Sequence, residues 1–405
     1  MRTLPTTTRR ALLGTAAGGT ALLAAPGLLR AQPAPVKIGL LQPLTGALAQ
    51  DGDLGRIGAE AAVAKINGDG GLRALGGAKI ELVVADARSN PEAGVQEVEK
   101  LQGEGVVAIV GGFASPICLA ASQAAARYDL PYVVDVGVAD SIVSRGLTNT
   151  FRLAPGFGTV TSAAVENLIR LNDGAGKPCK TVVLVHEDGL FGSGLAKLMQ
   201  TELPKHGFEV LETIAHPTPA RDMNNIALRL RSLRPDLLIP SSYYGEFVLL
   251  SRTMRQQRIR PKGIYAVLNG AASNYRFVKE FPDAALGVMD CNHWHDPKNA
   301  EAIALKAQVE ASGKFWAYNI PLNYSCVKLV ADAVNRAGAA DRAKVLQALT
   351  TSDYSGHIMP YGPTRFVNGQ NAGARPVNTQ VQDGDIKVIF PTEVADSRPV
   401  FPIQG

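Results

Sequence analysis

The sequence predicts an α/β protein made of two doubly wound lobes, each with a mainly parallel sheet, joined by several hinge crossovers. Three observations carry that reading. Short apolar, β-rich runs alternate with helical stretches from Val36 to Val134, the rhythm of parallel strands covered by helices on both faces. The rhythm restarts at Thr181. No low-complexity linker separates the two runs, so several short crossovers fit better than two domains on one string. The first lobe is expected to take residues 36–152 plus about 288–350, and the second about 153–287 plus 351–395. The 405-residue length suggests two or more structural domains.

Residues 1–31 read as an export signal rather than as part of the fold. Thr8-Arg9-Arg10-Ala11-Leu12-Leu13 opens an uncharged Ala/Gly/Leu run that reaches Leu29, with small residues following at Ala31 and Ala34. The paired arginines resemble in part a twin-arginine signal, with an ordinary secretory signal as the alternative. The run is weakly apolar and no charged stop follows it, which argues against a membrane anchor. Arg2, Arg9, Arg10 and Arg30 supply four of the five net positive charges, and the segment holds no acid, so the remainder carries about +1. A nearly neutral body argues against a nucleic-acid partner.

In the first run, strands are expected at Val36–Leu41, Lys79–Ala85, Val106–Val110 and Pro131–Val134, with helices at Leu54–Asn67 and Asn90–Gln102. The third strand ends in Gly111-Gly112, which lets the chain turn sharply. Ser115-Pro116 then opens a helix running towards Tyr128. Serine is a preferred N-cap and proline suits a first helical turn. Free N–H groups there, with the Ser115 hydroxyl, would face the cleft beyond the strand's carboxyl end and suit a carboxylate. A plain helix cap is the alternative.

The second run has strands at Thr181–His186, Phe208–Ile214, Leu237–Pro240 and Gly263–Ala266. Its helices are expected at Phe157–Asn172, Gly192–His206, Asn224–Leu233 and Glu246–Arg258. A further strand at 287–292 begins a return through helices near 298–312, 318–337 and 341–350. Asp383-Gly384-Asp385 then joins two tail strands as a hairpin.

Other chemistry is poorly supported. There is no Walker A sequence and no nucleophile elbow. Ser325-Cys326-Val327-Lys328 matches the short SxxK pattern, as chance alone often does. His293-Trp294-His295 lacks the further ligands a metal needs. Cys118, Cys179, Cys291 and Cys326 form no CxxC. An exported protein could pair them, and buried free thiols are the alternative. No cofactor, no metal and no enzyme activity are expected.

Val36-Lys37-Ile38-Gly39, Pro43-Leu44-Thr45-Gly46, Gly58-Ala59-Glu60 and Ile66-Asn67-Gly68-Asp69-Gly70-Gly71 stand in a telling order. Asp86, Asn90-Pro91-Glu92-Ala93, Gly111-Gly112-Phe113-Ala114-Ser115, Thr150-Phe151-Arg152 and Phe191-Gly192-Ser193-Gly194 continue it. Together they resemble the periplasmic leucine/isoleucine/valine-binding protein family across nearly all of the chain after the signal. The resemblance implies a type I periplasmic binding fold with Rossmann-like lobes that close over a small ligand. It also implies a membrane permease of an ABC importer as partner, a periplasmic location, and a monomer.

The resemblance further implies a site. Ser115, beside Ala114, would hold a ligand carboxylate, and the Val136-Gly137-Val138 backbone would add contacts. Tyr243 would stack on or cap the ligand. Amino-acid-binding members pair the ligand ammonium with acidic side chains, but the corresponding positions here are Phe157 and Asn269. A buried ammonium without a carboxylate partner is costly. Asp51, Glu187 and Asp188 are the candidates to compensate. The expected function is therefore solute capture for an importer, of a branched-chain amino acid, amide or carboxylate, with ordinary branched-chain amino acids not the best ligands. A ligand-sensing receptor module of the same fold is the alternative, and an exported hydrolase is a weaker one.

Overall fold

A computed structural model of the chain describes Pro33–Ile403, and the expected export signal at residues 1–31 lies outside those residues. The chain alternates from its first strand: β1 (Val36–Gln42), α1 (Ala49–Gly68), β2 (Ile80–Asp86), α2 (Pro91–Gly103), β3 (Ile109–Gly111), α3 (Ser115–Ala126), β4 (Tyr132–Val134) and β5 (Thr150–Arg152). A second series follows: α4 (Phe157–Gly174), β6 (Thr181–Glu187), α5 (Leu190–Glu202), β7 (Glu209–His216), α6 (Asn224–Leu233), β8 (Leu237–Ser241), α7 (Tyr244–Gln256) and β9 (Gly263–Val267). It ends with α8 (Tyr275–Glu280), α9 (Pro282–Ala285) and β10 (Met289–Asn292). The return comprises α10 (Ala300–Ala311), α11 (Asn319–Ala337), α12 (Arg342–Thr350), β11 (Phe366–Val367) and β12 (Gln370–Asn371). The chain closes with β13 (Val377–Gln382) and β14 (Asp385–Phe390).

Two seven-stranded sheets result, in the orders β11-β12-β5-β4-β3-β1-β2 and β14-β13-β10-β9-β8-β6-β7. All pairings are parallel except β11 with β12, β10 with β13 and β13 with β14. The central strands read as continuous apolar runs because helices cover both faces: β1 and β6 are buried almost throughout. The predicted hairpin forms between β13 and β14, with Asp383 and Gly384 both in the left-handed region that such a two-residue turn requires.

The expected partition of the lobes needs correction at two places. β10 pairs with β9 and β13, so residues 289–292 belong to the second sheet. β11 and β12 extend the edge of β5, so residues 366–371 belong to the first. The chain thus crosses between sheets three times, after β5, after β10 and after β12. Two-residue strands have no periodicity to read, which is why this edge hairpin is invisible in the sequence.

Helix α1 begins five residues earlier than expected, taking in Gln50 and Asp51. Its Gly52, Gly55 and Gly58 look like breakers in the sequence. Here they leave room for close neighbours: a Cβ on Gly52 would collide with the Pro43 carbonyl, on Gly55 with the Gln42 and Asn323 side chains, and on Gly58 with the Ile320 carbonyl of α11. All four cysteines are free and buried.

Candidate functional site

The carboxyl ends of the two sheets face each other, and a narrow cavity of about 20 Å³ lies between them. Phe113, Ser115, Val136 and Val138 form the first-lobe wall. Phe191, Tyr243, Leu268, Asn292 and His293 form the opposite wall, and Tyr318 closes the edge beside α11. A larger concavity of about 790 Å³ runs along the β5–β12–β11 edge. Its charged groups, Arg152 and Asp140, are paired with one another at 3.1 Å. The smaller cavity is the one on which both lobes converge.

Each wall is set by the same local device. After β3 the chain passes Gly111 and Gly112 at positive φ and then holds Phe113 at φ 54°. After β9 it holds Leu268 at φ 53°. Bulky residues in this region are strained and need outside support. A buried carboxylate holds Phe113 directly, whereas Leu268 donates its N–H to the Cys291 carbonyl at 3.0 Å and a second buried carboxylate holds the residue after it. Asp135 accepts from the Phe113 N–H at 3.0 Å, and Asp290 accepts from the Asn269 N–H at 3.2 Å. Asp135 also accepts from Gln42 and Asn323, and Asp290 from Ser273 and Asn292. Burial pushes both carboxyls up, that of Asp290 to about 7.

Ser115 is the first residue of α3, and Ala114 is the N-cap. The Ser115 hydroxyl does not cap the helix. It accepts from the N–H groups of Val138 and Ala139, each at 3.2 Å. A hydroxyl has two lone pairs and one proton, so Ser115 is left with only its O–H to offer. A cavity partner for Ser115 must therefore be an acceptor, such as a carboxylate oxygen.

The other expected residues divide clearly. Val136, Val138 and Tyr243 share the cavity with Ser115, and Gly137 packs behind it, where a Cβ would lie 2.7 Å from the Cys118 sulfur. Tyr243 is flanked by Phe113 and Phe191, with ring centroids 5.7 and 5.2 Å away. Ala114, Asp51, Phe157 and Asn269 are buried off the cavity wall. The Phe157 ring packs against Gly194 of α5. Asn269 turns its side-chain oxygen onto the N–H groups of Ala271 and Ala272 at 2.9 and 3.1 Å. Of the candidate acids, Glu187 accepts from the N–H groups of Gly189 and Gly192, both at 2.8 Å, and so caps α5. Asp188 is exposed. Asp51 is buried, and desolvation, with Glu246 nearby, pushes its carboxyl to about 7. One of its oxygens has no partner.

Sequence reasoning missed Phe113, Phe191, Leu268, Asn292 and Tyr318 as lining residues, and considered His293 only for metal. The signal was present in Phe113 and Phe191, since each lies in a motif that carries the family resemblance. Among the described residues no group of three or more His, Cys, Asp or Glu is placed to hold a metal. His295 instead faces the indole N–H of Trp316 at 3.2 Å.

A family model described as periplasmic binding protein matches residues 35–385. A relative from Brucella melitensis, Leu/Ile/Val-binding protein homolog 7, is 30% identical over 380 residues, covering 91% of this chain and 94% of its own length. The fold matches a leucine-binding protein from Thermotoga maritima with a TM-score of 0.74 at 23% identity, covering 87% of this chain and 97% of that one. It also matches a solute-binding protein of an ABC transporter from R. palustris, solved with benzoate. That TM-score is 0.75 at 20% identity, covering 88% of this chain and 95% of that one. The two-sheet architecture is accordingly the type I periplasmic binding fold. The chain belongs to the periplasmic binding protein family, in the group of the Leu/Ile/Val-binding protein homologues.

Proposed function

We propose that the protein captures a small carboxylate with an apolar or aromatic body between its lobes and presents it to an importer permease. The observation that carries this reading is the composition of the cavity wall. It joins Ser115, committed as a donor, to Phe113, Phe191, Tyr243, Leu268 and Tyr318, and contains no acidic side chain. An enclosed ammonium needs a close negative partner to offset its desolvation. Glu187, Asp135 and Asp290 are committed to backbone and side-chain donors of their own lobes. The Asp51 carboxyl, pushed up to about 7, is only partly ionised at neutral pH and stands off the wall.

The cavity has room for about one water, so a ligand enters only when the lobes part. Val136, Gly137 and Val138 would complete the carboxylate contacts with Ser115, and Tyr243 would cover the ligand body. We read capture as non-covalent, since the Ser115 hydroxyl meets the Val138 and Ala139 N–H groups and no base among the described residues. The segment Thr8 to Leu29 supports export to the periplasm, and the nearly neutral body argues against a nucleic-acid partner. The benzoate bound by the R. palustris neighbour is consistent with this ligand class, whereas leucine binding by the Thermotoga neighbour is the competing precedent.

Paired calorimetry with leucine, its des-amino analogue 4-methylpentanoate and benzoate, at one pH and salt, tests the reading. One of the two simple carboxylates should bind more tightly than leucine. Clearly tighter leucine binding would return the protein to amino-acid capture and make Asp51 the first residue to substitute.

A further inference from the structure

We infer that His293 is a specificity-determining residue that reads a hydroxyl on the ligand body, so that the preferred ligand is a hydroxyl-bearing aromatic carboxylate rather than a plain hydrocarbon one. The inference rests on the cavity being the ligand site, as proposed above.

His293 directly follows β10, where the chain leaves the second sheet, and lies on the cavity wall across from Ser115. It is 2% exposed, yet neither ring nitrogen has a hydrogen-bond partner. The other buried histidines differ. His186 meets the Glu187 carbonyl at 2.7 Å, His216 meets Ser242 at 2.7 Å, His295 meets Trp316 at 3.2 Å, and His357 meets the Gly362 carbonyl at 2.9 Å. A buried polar group left unpaired is expensive, and native proteins rarely keep one without a use.

The chemistry of the missing partner follows from the ring. Burial, with the Arg152 charge nearby, pushes His293 down to about 3, so the imidazole is neutral and offers one N–H donor and one bare nitrogen. A neutral ring is a poor match for a second carboxylate. A hydroxyl, which both donates and accepts, suits either nitrogen. Neighbouring Asn292 has less to offer, keeping one lone pair on its amide oxygen. Its amide nitrogen binds the Asn269 carbonyl at 3.0 Å and Asp290 at 2.8 Å, and its oxygen accepts from the His293 backbone N–H at 2.7 Å. The Tyr318 ring, 6.3 Å from the imidazole, supplies an aromatic surface beside it. Ser115 and His293 thus present an acceptor-seeking group and an ambivalent one on opposing walls of a slot lined mainly by aromatic and aliphatic side chains.

Calorimetry with benzoate, the three hydroxybenzoate isomers and the three methylbenzoates tests this on the full-length protein. At least one hydroxybenzoate should bind about ten-fold or more tightly than its methyl isostere. The preference should collapse in His293→Phe while benzoate binding persists. Because His293→Phe could fail to fold, a second readout uses the wild-type protein with ¹⁵N-labelled histidine. The His293 ring nitrogens should shift on adding the preferred hydroxybenzoate and not on adding its methyl isostere. Benzoate binding with no hydroxyl preference, a preference unchanged in His293→Phe, or silent His293 nitrogens would each overturn the inference and leave carboxylate capture standing. Binding of leucine with no binding of any aromatic acid would overturn both.

Discussion

Ser115 holds three jobs at once: it starts α3, ties the backbone after β4 to α3, and keeps one proton for the cavity. Ser115→Ala should therefore act twice. It should weaken a carboxylate ligand by roughly ten- to a hundred-fold, the worth of one hydrogen bond to a charged group. It should also lower stability by about 1–3 kcal/mol, because two buried N–H groups lose their acceptor. Calorimetry and chemical denaturation separate the effects, and wild-type affinity in a folded variant would reduce Ser115 to a structural role. Asp51 offers a prediction of opposite sign. Its carboxyl titrates near 7 when folded and near 3.8 when free, so between those values the native state keeps a proton that the unfolded chain has lost. Stability should fall as pH rises from about 4 to about 7 and stay reduced above that range. Asp51→Asn removes this penalty, so its melting temperature relative to wild type should be higher at pH 8 than at pH 4. An equal offset at both pH values would show that Asp51 titrates normally. The position of Ser115 was legible because Gly-Gly turns, serine and proline punctuate the chain locally. Its hydrogen bonds were not, since both donors lie more than twenty residues away. Phe157 and Asn269 were read as the family's ammonium-binding positions, and in the structure local packing against Gly194 and a cap on Ala271 and Ala272 turn them away from the cavity.

Helices and strands of ordinary length announced themselves through apolar periodicity and caps such as Asn90, which accepts from the Ala93 N–H with Pro91 beginning the helix. The weak points were short or glycine-rich. β3 keeps only three of the residues in its apolar neighbourhood, and β11 and β12 are two residues each. α1 hides its first turn among glycines, of which Gly58 serves a close crossing with α11. That purpose is testable. Gly58→Ala adds one methyl group facing the Ile320 carbonyl and should cost about 1–3 kcal/mol through overpacking, despite the better helix propensity of alanine. A neutral or stabilising result in urea denaturation would mean that α1 and α11 move apart freely. The paired loops after β3 and β9 are a second element-scale feature. Each places an apolar side chain at positive φ and ties the loop to a buried aspartate, through Phe113 itself in one lobe and through the residue after Leu268 in the other, so the two cavity walls are built alike although their sequences differ.

At the scale of the molecule the lobes touch. Arg276 of α8 donates to Gln50 of α1 at 2.7 Å, and Phe113 meets Tyr243 across the cleft. With so little free volume between the walls, ligand entry demands separation, and small-angle scattering should show a more compact particle at ligand saturation than without ligand. An unchanged profile at saturation would count against lobe motion. Arg276→Ala should weaken ligand binding several-fold without touching the cavity, by removing a contact that ties the two lobes together. Unaltered affinity would leave that contact incidental. The three crossings between sheets carry a consequence for how the protein is born. β13 lies between β10 and β14 in the second sheet, and β12 borders β5 in the first. Neither sheet is complete until residues beyond 365 have left the ribosome. An emerging chain that has already made β1 to β10 still exposes an open edge on each lobe, and a stalled or clipped product would retain two sticky half-finished sheets rather than one finished domain.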